Sequence, residues 1–88
     1  MTETQVTITN PLGIHARPSA LIVQTATRFK SEVSFIRDDL RVNGKSIMGV
    51  MMLAAEMGSV ITIQADGEDE CECVAALEKA FAVRFDDK

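Results

Sequence analysis

Asn10-Pro11-Leu12-Gly13-Ile14-His15-Ala16-Arg17-Pro18-Ser19 is the stretch on which the reading of this chain turns. It holds the only histidine of the sequence, at the point where a loop opens a helix. Asn10-Pro11 and Gly13 are turn residues, and Pro11 biases Asn10 away from helical geometry. From Ala16 onward the composition suits a helix, and Pro18 is tolerated in a first turn, where backbone N–H groups have no intrahelical partner. His15 is therefore expected at the N-cap or beside it. The free amides of Ala16 and Arg17, and the positive end of the helix dipole, then lie next to its ring. Such a place suits a phosphate. The dipole favours the neutral imidazole, which is a nucleophile near physiological pH. If the ring attacks a phosphoryl group, the resulting dianion falls among N–H donors with the Arg17 guanidinium in reach. The other reading of a lone histidine near a helix start is a surface residue or a cap, and this stretch alone leaves both open.

Working outward, Gln5-Val6-Thr7-Ile8-Thr9 alternates polar and apolar and reads as a strand with Val6 and Ile8 facing inward. A first helix is expected from about Ala16 to Phe29. Ser19, Ile22, Val23, Ala26 and Phe29 form its buried stripe, Ala16 and Ala20 permit close approach, and Gln24, Thr25 and Arg28 face water. Glu32 to Arg37 reads as a second strand, Asp38-Asp39 as a tight connection and Leu40-Arg41-Val42 as a short third strand, the two pairing as an antiparallel hairpin. Asn43-Gly44 ends the third strand with a strong turn signal. Ser46 is placed to cap a short helix from Ile47 to Leu53. That helix is apolar nearly all round, and a one-sided sheet cannot bury every face of it. Val50, Leu53 and Ala54 suit the core, while Ile47, Met48 and Met51 fall together on another face. Unbranched methionines there suit a surface that accepts several partners, although flexible core filler fits the same pattern.

Gly58-Ser59 breaks the chain before a fourth strand, Val60 to Ala65, with Ile61, Ile63 and Ala65 on one face. Asp66-Gly67 turns it. Asp69 and Glu72 read as a capping box for a last helix, whose buried stripe is Cys71, Val74, Leu77, Phe81 and Phe85. The acidic run Glu68 to Glu72 is read as a solvated helix start and not a metal site. The order β-α-β-β-α-β-α packs most simply as an α+β open-faced sandwich. One face of a four-stranded antiparallel sheet is covered by three helices, and the fourth strand is inserted between the first two as in a split βαβ unit.

With 88 residues the sequence is expected to form one domain, and 47% hydrophobic residues suffice for its core. The net charge of −4 argues against a general nucleic-acid binder. Acidity gathers at Glu68–Glu72 and Asp86-Asp87, whereas Arg17, Arg28 and Lys30 lie on or just after the first helix, so the His15 end is relatively basic. Met1-Thr2-Glu3-Thr4 lacks a basic region and an apolar run, so no secretory signal is expected. No stretch has the length of a membrane-spanning helix. Cys71 and Cys73, two apart on a helix, point to different faces and are read as ordinary reduced thiols of a cytoplasmic protein.

Gly13-Ile14-His15-Ala16-Arg17-Pro18 resembles the active-site signature of the HPr family, the histidine-containing phosphocarriers of the bacterial phosphoenolpyruvate:sugar phosphotransferase system. Asn43-Gly44-Lys45-Ser46-Ile47-Met48-Gly49-Val50-Met51 resembles the regulatory-serine segment of the same family, at the matching separation. The resemblance covers essentially the whole chain and implies the same sandwich layout. It implies that enzyme I phosphorylates His15 on Nδ1, that Ala16, Arg17 and Pro18 surround the phosphate, and that enzyme IIA domains of sugar permeases receive the group. It implies a carrier that other phosphotransferases recycle, needing no cofactor or metal; a monomer is expected, with a dimer left open. Ser46 becomes a candidate regulatory site for an ATP-dependent HPr kinase/phosphorylase, with a transcriptional regulator as a further partner. Ile47, Met48, Met51, Ala20 and Arg28 become the docking surface. Gln24 and Thr27 stand where many members carry lysines that help docking, and Arg28 and Lys30 are placed to compensate. Two rivals stand beside this reading. One is the HPr-like carrier of the nitrogen-related branch, with regulatory output. The other is a small α+β interaction module with an inert histidine.

Overall fold

A computed structural model describes residues 1–9, 16–53 and 56–83. The runs of alternating residues form four strands: β1 (Thr2–Thr7), β2 (Glu32–Arg37), β3 (Leu40–Asn43) and β4 (Val60–Asp66). The runs with helical spacing form α1 (Ala16–Thr27), α2 (Ile47–Met52) and α3 (Glu70–Ala82). The strands make one antiparallel sheet in the order β1-β4-β2-β3, so the fourth strand is inserted between the first two as the sequence predicts. The β2–β3 hairpin turns through Asp38-Asp39, with Asp38 at φ 54, a left-handed conformation that a short polar side chain tolerates.

One face of the sheet carries Val33, Phe35, Val42, Ile61, Ile63 and Ala65, all buried. Ile22, Val23 and Ala26 of α1, Val50 of α2, and Val74, Leu77 and Phe81 of α3 cover it. At the centre the rings of Phe35 and Phe81 meet edge to face, with centroids 5.2 Å apart and planes at 90°. The other face is polar. Arg41 Nη2 on β3 reaches over β2 to donate to Gln64 Oε1 on β4 at 2.8 Å, and Gln64 Nε2 donates to Glu3 Oε1 on β1 at 2.8 Å. An antiparallel sheet can leave one face to water in this way.

Several expectations are corrected. The first strand starts at Thr2 and not at Gln5, and its inward row is Thr2, Thr4 and Val6. The two threonines escape an apolar-only pattern because α3 satisfies their hydroxyls: Thr2 donates to Glu70 at 2.6 Å and Thr4 to Glu78 at 3.2 Å. Thr25 is buried, not solvent-facing. It lies in the seam between α1 and α3, and its Oγ1 donates to the Leu21 carbonyl at 2.8 Å, which removes the cost of burying a hydroxyl there. On α3 the buried cysteine is Cys73, while Cys71 is exposed, because the inward positions run Cys73, Val74, Leu77, Ala80 and Phe81. Burial pushes the Cys73 thiol up from its ordinary value. Phe85 and Ala54, assigned to the core from sequence, lie outside the described residues.

The Asp69–Glu72 capping box is not formed. Asp69 is the N-cap of α3, yet its carboxylate makes no cap bond and turns instead to the chain between α1 and β2. There it accepts from the Lys30 amide at 2.9 Å, the Ser31 amide at 3.0 Å and the Ser31 hydroxyl at 2.5 Å. The reach-back to the turn comes from Glu70, whose Oε1 accepts the Gly67 N–H at 3.1 Å.

Glu70 also takes the Thr2 hydroxyl, and the Met1 ammonium lies 3.1 Å from its Oε2. The Thr2 hydrogen bond first, then the Gly67 amide and the ammonium, hold its carboxyl at about 2, below its usual 4.5. A carboxyl depressed by folding stabilises the fold above its unfolded pKa and loses that contribution as pH falls through the folded value. Glu70→Gln should therefore unfold at lower urea than the parent at pH 6, and the two midpoints should converge as pH is lowered from 4.5 toward 2. Parallel curves over that range would show that Glu70 does not carry this linkage.

Candidate functional site

Two helix starts bear on the site. The first is the N-terminus of α1, which opens at Ala16. Ala16 and Arg17 are exposed, while Pro18 and Ser19 turn inward and are buried. Pro18 sits in the first turn, where its missing N–H costs no helical bond, so an anion at this end would meet the amides of Ala16 and Arg17 and none from Pro18. The Ser19 hydroxyl is buried and has no hydrogen-bond partner among the described residues. His15 and the preceding Asn10 to Ile14 lie outside the described residues.

The second is the start of α2, built from the Asn43-Gly44-Lys45-Ser46 turn. The Lys45 amide donates to Asn43 Oδ1 at 2.8 Å, an Asx turn that shapes the approach to the helix. Ser46 follows in extended conformation and its Oγ accepts the Gly49 N–H at 3.0 Å, the cap that the sequence predicts. A Cβ at Gly49 would stand 3.2 Å from the Asn43 carbonyl oxygen, so the glycine lets the helix sit close on its turn. Both ends of α2 are tied to neighbours. Lys45 Nζ donates to the Phe29 carbonyl just beyond α1 at 2.8 Å, and Arg37 Nη1 donates to the Leu53 carbonyl at 2.9 Å.

Held in this way, α2 buries Val50, with Leu53 beyond it, and shows the rest of its apolar side chains to solvent. Ile47 is 47% exposed, Met48 72% and Met51 43%, the three positions that the spacing sets on one outward face. Sequence reasoning missed Met52, at 62%, and Met57 in the following loop, at 61%. Met52 is four residues after Met48 and shares its side of the helix, which was the available signal. Ala20 is half-buried on α1. Arg28 stacks over the Phe29 ring at 5.8 Å and lines the groove between α1 and α3 with Leu21, Thr25 and Ala76. Among the described residues, no cluster of three histidine, cysteine or carboxylate side chains could hold a metal ion. None of the described helices is long and apolar enough to cross a membrane.

The family model described as "PTS HPr component phosphorylation site" matches residues 2–82. The phosphocarrier protein HPr of Treponema pallidum is 47% identical over 83 residues, 94% of each chain. Among solved structures, HPr-C-His from Thermoanaerobacter tengcongensis is 43% identical and superposes with a TM-score of 0.87, covering 97% of this chain and 100% of that one. The Bacillus subtilis catabolite repression protein Crh is 43% identical with a TM-score of 0.74, covering 92% and 93%. That protein is described as a swapped dimer, so the monomer expected from the sequence finds no support among these relatives.

The cap at Ser46 can be weighed by substitution. Ser46→Ala should cost about 1 kcal/mol, the usual loss for an N-cap serine, and lower the melting temperature by roughly 4–8 °C. Ser46→Asp keeps an acceptor for the Gly49 amide and should recover most of that loss. Equal melting of all three proteins would show that the cap carries no weight.

Proposed function

The chain belongs to the HPr family of phosphocarriers of the phosphotransferase system, and from that membership we propose that His15 is the residue that carries the phosphoryl group. The observation that supports this reading is the opening of α1 at Ala16, which makes His15 the sequence neighbour of the helix N-terminus, the end whose dipole favours negative charge. The Nδ1 lone pair of the neutral ring attacks phosphorus. A new N–P bond forms as the donor's N–P bond on phosphorylated enzyme I breaks. The phosphoryl oxygens then gather charge beside the Ala16 and Arg17 amides and the Arg17 guanidinium. The reverse sequence delivers the group to an enzyme IIA domain. The carrier thus acts as a recycled substrate in the cytoplasm and not as an enzyme. No metal enters this scheme.

Partner docking is assigned to Ile47, Met48 and Met51, with Ala20 and Arg28 on α1. Ser46 is assigned a regulatory phosphorylation. A phosphate there adds about two negative charges at the foot of the apolar face, which disfavours docking to an acidic partner while leaving the cap position occupied by oxygen acceptors. A second reading, with regulatory output in place of sugar uptake, is favoured by the likeness to Crh, which is described as a catabolite repression protein.

Incubation with enzyme I and labelled phosphoenolpyruvate should give a base-stable, acid-labile label that is absent from His15→Ala; an unlabelled parent protein refutes the carrier reading. Arg17→Ala removes a charged donor worth about 1.5–3 kcal/mol to a phosphate and should slow transfer roughly 10- to 100-fold, read from single-turnover rates.

A further inference from the structure

Four of the five methionines of the chain fall within residues 48–57. All four, Met48, Met51, Met52 and Met57, are exposed, and none contributes to the core. Met48, Met51 and Met52 are related by three and four residues and line one side of α2, where they make up most of the apolar surface left uncovered by the sheet. The helix itself is anchored elsewhere, through Val50, Leu53, Ser46, Lys45 and Arg37. The chemistry of this face can therefore change without loosening what holds it.

We propose that this methionine face is a reversible oxidation site for hydroperoxides, through which oxidation weakens the carrier's docking. The thioether sulfur attacks the distal oxygen of the peroxide. An S–O bond forms, the O–O bond breaks, the sulfur is oxidised by two electrons, and the peroxide leaves as water or an alcohol. Sulfoxide turns a flexible apolar side chain into a polar one. A thiol-dependent sulfoxide reductase returns the thioether and releases the oxygen as water. The effect on docking rests on the carrier reading given above; the modification itself does not.

The test treats the whole protein with hydrogen peroxide and then with dithiothreitol, which reverses reversible oxidation of the exposed Cys71 and leaves sulfoxides in place. Peptide mass spectrometry should place added oxygen on Met48, Met51, Met52 and Met57. The melting temperature should stay within about a degree of the untreated value, because no core residue is altered. The KM for the carrier in enzyme I-dependent labelling should rise about tenfold, the affinity equivalent of losing one well-buried apolar side chain at an interface, and should recover on incubation with methionine sulfoxide reductase. A variant with all four residues changed to leucine, which keeps Met1 as an oxidisable control, should show no change in KM on peroxide treatment relative to its own starting value. The proposal is overturned by an unchanged KM in the oxidised parent, by a fall in melting temperature that parallels the loss of docking, or by equal sensitivity of the leucine variant. Untreated protein that accepts no label contradicts the carrier reading alone. The oxidation site then stands on the mass increments and the unchanged melt, and falls if the four sulfurs take up no oxygen.

Discussion

The carboxylate of Asp69 joins the two halves of this fold. It accepts three hydrogen bonds from Lys30 and Ser31, residues 39 and 38 positions away in sequence, and so fixes the start of β2 against the start of α3. Ser31 is buried by the joint. The turn above it comes so near that a Cβ on Gly67 would lie 2.7 Å from the Ser31 Cα, which only glycine avoids. The Ser31 hydroxyl, followed by the Lys30 amide, keeps the Asp69 carboxyl below its ordinary pKa, as expected of an acceptor bound by several donors. With that joint in place, β2 and α3 start from one corner, and the contact of Phe35 with Phe81 closes the core between them.

Much of this was legible in the sequence, and the exceptions share a cause. The alternating runs placed β2, β3 and β4, Asp38-Asp39 placed the hairpin turn, and Ser46 announced the cap of α2. The sequence failed wherever a polar side chain does structural work through a distant partner. Thr2 and Thr4 face inward because α3 supplies acceptors, Thr25 is buried because its own helix supplies one, and Asp69 abandons its helix for Ser31. For Thr2, Thr4 and Asp69 no short window of the sequence contains the partner, and for Thr25 the acceptor is local but the packing of α3 over it is not. Cys73 replaced Cys71 for a simpler reason: two positions apart on a helix, only the side that α3 turns inward decides between them. Around the candidate site, α1 opens at Ala16 where the spacing put it, and His15 lies outside the described residues.

A sheet with helices on one side only has room for two full helices and part of a third. The shortest, α2, lies at its margin with Val50 buried and its remaining length apolar but uncovered. A face of that kind is costly to leave in water unless something is meant to meet it. Tethers from Lys45 to the Phe29 carbonyl and from Arg37 to the Leu53 carbonyl hold it against the end of α1 and against β2.

The strand order has a consequence for how the chain is made. Among the described residues β1 pairs with β4 alone, Thr2 opposite Ala65 and Thr7 opposite Val60. β1 is thus among the last elements to find its place, since its neighbour lies some sixty residues further along the chain. Among the described residues, the β2–β3 hairpin is the part of the sheet that forms from adjacent sequence. Closing β1 onto β4 is therefore the long-range step in the assembly of the sheet.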